Sequence, residues 1–215
     1  MFKNLSTLIV ILLAAVVAPV ALSAKDGWSD PYKNYDETLF MDMDLDANIL
    51  SPAVAKGEKG AVSKYMKRLG NDLARRGYTV DMMRDDEVVC VTIPSDDLFM
   101  PNDTLLSPEA PAKLSPILKL LAVPDKFKLV YAVHTDNTGS PAYNMQLSHE
   151  RNSSIYDYML ENLSQDVIII PFEMGDTDPV EPNDSRKGRA ANRRLELYLI
   201  PGPKLITDAH KGLLR

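Results

Sequence analysis

The stretch HTDNTGSPAYNMQLSHER, His134 to Arg151, decides how this chain folds. It opens at the end of the apolar run Phe127 to Thr135, crosses a cluster of turn residues and continues in a helical period. Ser140-Pro141 reads as a helix start, a hydroxyl that caps free amides followed by a proline whose missing N–H costs nothing there. Stepping by four from Leu147 puts Arg151, Ile155, Met159 and Leu163 along one stripe of a helix running to about Leu163, with Tyr158 beside it. Arg151 interrupts an apolar face. A buried guanidinium without a partner is strongly unfavourable, so it needs a carboxylate from the protein or from a ligand. Helical side chains lean toward the N-terminus, which aims Arg151 back at the turn holding Asp136, and Asn144 shares that edge. Thr135 to Gly139 is a loop of residues that expose backbone N–H groups beside a helix N-terminus, a setting that favours anions. Two readings stay open: an Asp136–Arg151 salt bridge tying strand to helix, or a pocket with an ammonium acceptor on one side and a bidentate carboxylate holder on the other. The second is complementary to an amino-acid zwitterion.

Outward from this stretch the pattern alternates. Val62, Tyr65, Met66, Leu69 and Leu73 recur at three and four from Ala61 to Arg76, a helix that stops before Gly77. Tyr78 to Met83 and Glu87 to Ile93 form a hairpin across Arg84-Asp85-Asp86, and the continuous apolar content of the second run implies a strand covered on both faces. Ser107-Pro108-Glu109 starts a helix buried through Leu114, Ile117, Leu118 and Leu121, with Pro111 and Pro116 delaying its regular part to about Ser115. Val167 to Phe172 and Arg194 to Ile200 complete the strands. The expected class is α+β, a two-layer α/β sandwich with an N-terminal helix and hairpin extension.

Residues 1–24 read as an export signal: Lys3, an apolar run from Leu5 to Leu22, then Ser23 and Ala24. Cleavage after Ser23 or after Ala24 and retention as a membrane anchor are all open, and each puts the folded part outside the cytoplasm. Residues 25–60 are expected to be an acidic linker with little structure of its own. Asp42, Asp44 and Asp46 alternate like calcium-loop ligands, but Ala47 and Ala53 replace the required glycine and glutamate, so a solvated acidic stretch is expected. The remainder divides into a helix-and-strand lead-in over 61–86, a core domain over 87–202 and a tail over 203–215. The single cysteine, Cys90, lies in an apolar run and reads as a small buried hydrophobe. A net charge of −6 argues against nucleic acid as a partner.

Thr135-Asp136-Asn137-Thr138-Gly139, Asn144, Leu147-Ser148 and Arg151, followed by Gly188-Arg189-Ala190 and Asn192-Arg193-Arg194, resemble in order and spacing the peptidoglycan-binding OmpA-like C-terminal domain. The resemblance covers about Glu87 to Pro201. It implies a βαβαββ fold, no cofactor or metal, and a periplasmic protein, wall- or outer-membrane-associated, that grips the diaminopimelate of a peptidoglycan stem without any chemical step. By position, the resemblance gives the ligand's ammonium to Asp136 and its carboxylate to Arg151, with Thr138, Asn144, Asn102 and Arg193 around them and Arg189 in a structural role. Val133, Asn152 and Glu173 depart from the family's usual glycine, alanine and glycine.

Two other functions are weighed beside it. An enzyme would draw on His134, Asp136, His149 and Glu150, yet His149 and Glu150 lie off the Arg151 stripe and no HExxH or nucleophile pattern occurs. An envelope assembly module would have a vestigial pocket and bind other envelope proteins through residues 25–60.

Overall fold

The computed structural model describes residues 35–164 and 166–214; the segment read as an export signal lies outside them. A 3-10 turn, Glu37–Leu39, precedes α1 (Leu45–Leu50), and α2 (Lys56–Arg75) leads into the hairpin β1 (Thr79–Met83) and β2 (Val88–Pro94). Then follow α3 (Ala110–Leu118), β3 (Phe127–His134), α4 (Pro141–Asn162), β4 (Ile169–Gly175), α5 (Arg186–Asn192), β5 (Arg194–Pro201) and α6 (Pro203–His210). The sheet order is β1-β2-β5-β3-β4; β3 and β4 are parallel and the other pairs antiparallel. The expected α+β class and strand–helix alternation are present, with α5 as a short addition inside the loop before β5.

The strands β2, β3 and β5 are largely apolar on both faces, and each face is covered. One packs Val91, Leu129, Tyr131 and Leu197 against Met66 of α2, Ile117 of α3, Ile155 and Met159 of α4 and Leu205 of α6. The opposite face packs Val88, Cys90, Val130 and Tyr198 against Phe40 and Ile49. Burial pushes the Cys90 thiol up to about 12, so it packs as an inert hydrophobe. Among the described residues no helix is long and apolar enough to cross a membrane.

The expectation of an unstructured acidic linker is therefore corrected for residues 35–60. Asp42, Asp44 and Asp46 are exposed as expected, but Asp44 is also the N-cap of α1, its Oδ1 accepting from Ala47 N at 2.8 Å. The small helix it starts drops Asn48 and Ile49 onto the sheet. Lys128 of β3, fully buried, donates from Nζ to Asn48 O at 2.7 Å and Asn48 Oδ1 at 3.1 Å, with Phe40's ring centroid 3.9 Å away. Arg84 secures the segment's end by donating to Ile49 O and Pro52 O. The start of α3 is also corrected: it begins at Ala110, because a proline in the first turn surrenders no helical bond, and only Pro116 lies inside.

Burial, and secondarily the charge of Arg84, lowers the Lys128 ammonium from its ordinary 10.5 to about 7. Between those values the unfolded chain binds a proton that the fold does not, so stability rises with pH across that window and carries its full penalty below it. Denaturation midpoints measured from pH 7 to 10 should increase in the wild type and stay level in Lys128→Met. A level wild-type profile would refute this assignment.

Candidate functional site

Local chemistry builds the strand–turn–helix junction. Asp136 follows β3 and folds an Asx turn, its Oδ1 accepting from Thr138 N at 2.8 Å. Gly139, at φ +109, lets the chain reverse, and Ser140 caps α4 by accepting from Tyr143 N at 3.2 Å. At the end of β4 the register with β3 shifts between Val133 and His134, and Thr135 N donates to Gly175 O at 2.7 Å.

The first half of α4 faces inward with polar side chains, a correction to the apolar stripe expected from Leu147, which is only partly buried. Asn144, Ser148, Arg151 and Asn152 are buried, and apolar contacts begin at Ile155. Ser148 Oγ accepts from Gly175 N at 3.1 Å. Two of the family departures pair with each other: Tyr131 OH donates to Asn152 Oδ1, and Glu173 accepts from Asn152 Nδ2 at 3.4 Å and contacts His149 Nδ1 at 2.8 Å. The polar substitutions thus satisfy one another.

Arg151 is 4 % exposed and forms no ion pair among the described residues. Its Nε donates to Asp103 O at 3.0 Å, its guanidinium carbon stands 4.8 Å from the centroid of Phe99, and its Nη1 has no hydrogen-bond partner. The loop from Phe99 to Leu106, closed by a bridge between those two residues, forms this cover. Asn144 Nδ2 is likewise buried and unpartnered. Two buried donors without acceptors are costly for the free protein and suit a ligand that offers oxygen.

Asp136 is 7 % exposed and pairs not with Arg151 but with Arg193, whose Nη1 lies 2.8 Å from Asp136 Oδ2. Arg193 also clasps Asp96, Nε to Oδ1 at 3.2 Å and Nη2 to Oδ2 at 3.0 Å. The β2–β5 pairing brings these residues together, with Pro94 opposite Arg194 and Ser95 N donating to Arg193 O at 2.9 Å. Burial pushes the Asp136 carboxyl up, but bonds from Arg193 and Thr138 outweigh it and hold the group below its ordinary value. Burial lowers Arg151, Asp96 and Tyr143 oppose the shift, and Arg193 adds to it. Arg151 thus shares one electrostatic neighbourhood with Asp96 and Arg193.

Among the other expected residues, Thr138 contributes its backbone amide to the turn and is itself exposed. Asn102 is exposed at φ 59, one residue before the carbonyl that holds Arg151. Arg189 donates to Asn183 O at 2.8 Å and ties down the loop before α5. The set considered for an enzyme is dispersed: His134 is buried with Nε2 at 3.2 Å from Glu196 Oε2, while His149 lies on the surface against Glu173. His134, Asp178 and Glu196 bring possible metal-ligand atoms within 4.8 Å of one another, but the Arg194 guanidinium already bonds both carboxylates. Burial raises Glu196, yet contacts from His134, Tyr198 and Arg194 hold it at about 2. Sequence reading missed Asp96, Phe99 and the Asp103 carbonyl. Asp96 carried one signal, its place directly after a strand.

Known proteins resemble this chain in sequence and in fold. Outer membrane protein A of Bordetella avium is 28 % identical over 53 % of this chain and 59 % of its own length. Outer membrane protein A of Klebsiella pneumoniae is 35 % identical over 54 % of this chain and 37 % of its own. The chain therefore spans less than two thirds of these relatives. The fold is that of the crystal structure of a MotB-like protein from Desulfovibrio vulgaris, with a TM-score of 0.55 and 22 % identity over 67 % of this chain and 94 % of that one. The description "OmpA family" matches residues 98–193, from just after β2 to the start of β5, and it is over this stretch that the chain is similar to the OmpA family.

Proposed function

We propose that the domain binds peptidoglycan non-covalently through the free end of a diaminopimelate in the stem peptide, tethering this exported protein to the cell wall. The carrying observation is the buried guanidinium of Arg151, without an ion pair among the described residues and with a partnerless Nη1, on the same buried row of α4 as the unpartnered amide of Asn144. A ligand carboxylate would give both donors an acceptor, and the planar fork of arginine suits it bidentately. Asp136, below its ordinary carboxylate value, is ionised and suited to an ammonium. Thr138, Asn102 and Arg193 rim the same opening in this reading. No bond is made or broken, so the domain is a binder and not an enzyme.

The test is sedimentation with purified sacculi. Wild type should co-sediment, and Asp136→Ala should lose about tenfold or more in affinity with an unchanged unfolding midpoint, as expected for removing a partly buried charge partner. Soluble stems with lysine in place of diaminopimelate lack the carboxylate beside the side-chain amine and should compete more weakly than diaminopimelate stems. Equal competition by the two would overturn the pocket assignment. Undiminished sedimentation of Asp136→Ala would favour an assembly module, whose contacts then belong to other surfaces.

A further inference from the structure

Asp96 lies outside every residue assigned above to the ligand, yet it holds Arg193 with two oxygens while the same guanidinium reaches Asp136 with its remaining nitrogen. Asp136 is nearly enclosed, whereas the Asp96 side chain is 67 % exposed. Arg193 therefore stands between an inner and an outer carboxylate. A ligand ammonium approaching Asp136 meets a cation already bonded to it. Building on the diaminopimelate reading, we propose that Arg193 is a resident stand-in for the ligand's ammonium and that Asp96 is the carboxylate onto which it withdraws. Binding is then an exchange of cations on Asp136, and Asp96 is a positioning residue that sets selectivity for the amine end.

The charges explain why such a device is useful. The carboxylates of Asp96, Asp136 and Asp103 stand around Arg151 and Arg193, so the free site already holds both signs and a zwitterion adds one charge of each. Without the withdrawing carboxylate, the guanidinium would rest wholly on Asp136 and repel an incoming ammonium. Without Arg193, both carboxylates would stand open to it. The two losses change selectivity in opposite directions, which a merely structural ion pair would not do.

The measurement uses two probes: a tripeptide stem ending in meso-diaminopimelate, and the same peptide acetylated on its free amine. The readout is the ratio of their affinities, taken by calorimetry on the same protein. Wild type should favour the free amine. Asp96→Asn should shrink that preference by roughly three- to tenfold, the scale of a partly exposed charge interaction, and Asp96→Glu should restore it. Arg193→Gln should enlarge the preference even if both affinities fall. An unchanged ratio in Asp96→Asn, or a ratio that moves the same way in both variants, overturns this inference while leaving the binding function standing. A wild type that binds neither probe removes both.

Discussion

Replacing Arg151 with methionine should lower affinity for sacculi by at least about a hundredfold and leave the unfolding midpoint level or slightly higher. The two halves of this expectation come from one feature. In the free protein the guanidinium is desolvated, has a nitrogen without a partner and is compensated only by the Asp103 carbonyl and the face of Phe99. An apolar side chain of similar length removes that cost and keeps the packing against Phe99, as replacement of buried charges by hydrophobes often does. Binding, by contrast, loses the only group in the buried row of α4 that can hold a carboxylate with two parallel bonds. Arg151→Lys should fail nearly as badly, since a point charge on a flexible stem does not reproduce the fork. A structural role predicts the reverse pattern, a fold weakened by several kcal/mol with binding lost only through unfolding. Sedimentation of Arg151→Met at the wild-type level would sink the functional assignment.

The junction holding this residue was legible because its signals are local. Ser140-Pro141, the turn residues before it and the apolar run of β3 each act within a few positions, and the helix period puts Arg151 on the buried side of α4. The partner of Asp136 was not legible by the same means. Arg193 reaches it only because β2 and β5 pair in a register that puts Pro94 opposite Arg194, and a register is a property of two distant strands. The same limit hid Asp96. The N-terminal segment misled for a different reason: its alternating acids suggested solvent, while the residues that matter, Phe40, Asn48 and Ile49, are too sparse to show a period. Their burial depends on an apolar second sheet face and on the buried amine of Lys128, both far along the chain.

Gly188→Ala should destabilise the fold by about 2 to 4 kcal/mol, the upper range for forced overpacking. A methyl group there would lie 1.9 Å from Pro182 O and 3.1 Å from Pro182 C, so backbone, not a pliable side chain, would have to yield. That backbone is held from several directions. Asn192 accepts from Val180 N and Glu181 N at 2.9 Å each and donates to Glu181 O at 2.7 Å, while Arg189 holds Asn183 O. Retreat of the loop would break the bonds of a fully buried amide whose neighbour in sequence is Arg193. The substitution should therefore also weaken peptidoglycan binding at temperatures where the protein remains folded. Gly60→Ala is the matched control: its added methyl meets nothing within 4 Å in the exposed body of α2, and a gain of about 0.5 to 1 kcal/mol is expected. Urea midpoints of the two variants should move in opposite directions. A Gly188→Ala protein as stable as wild type would mean that the loop before α5 has freedom its hydrogen bonds deny, and that Arg193 is not positioned from this side.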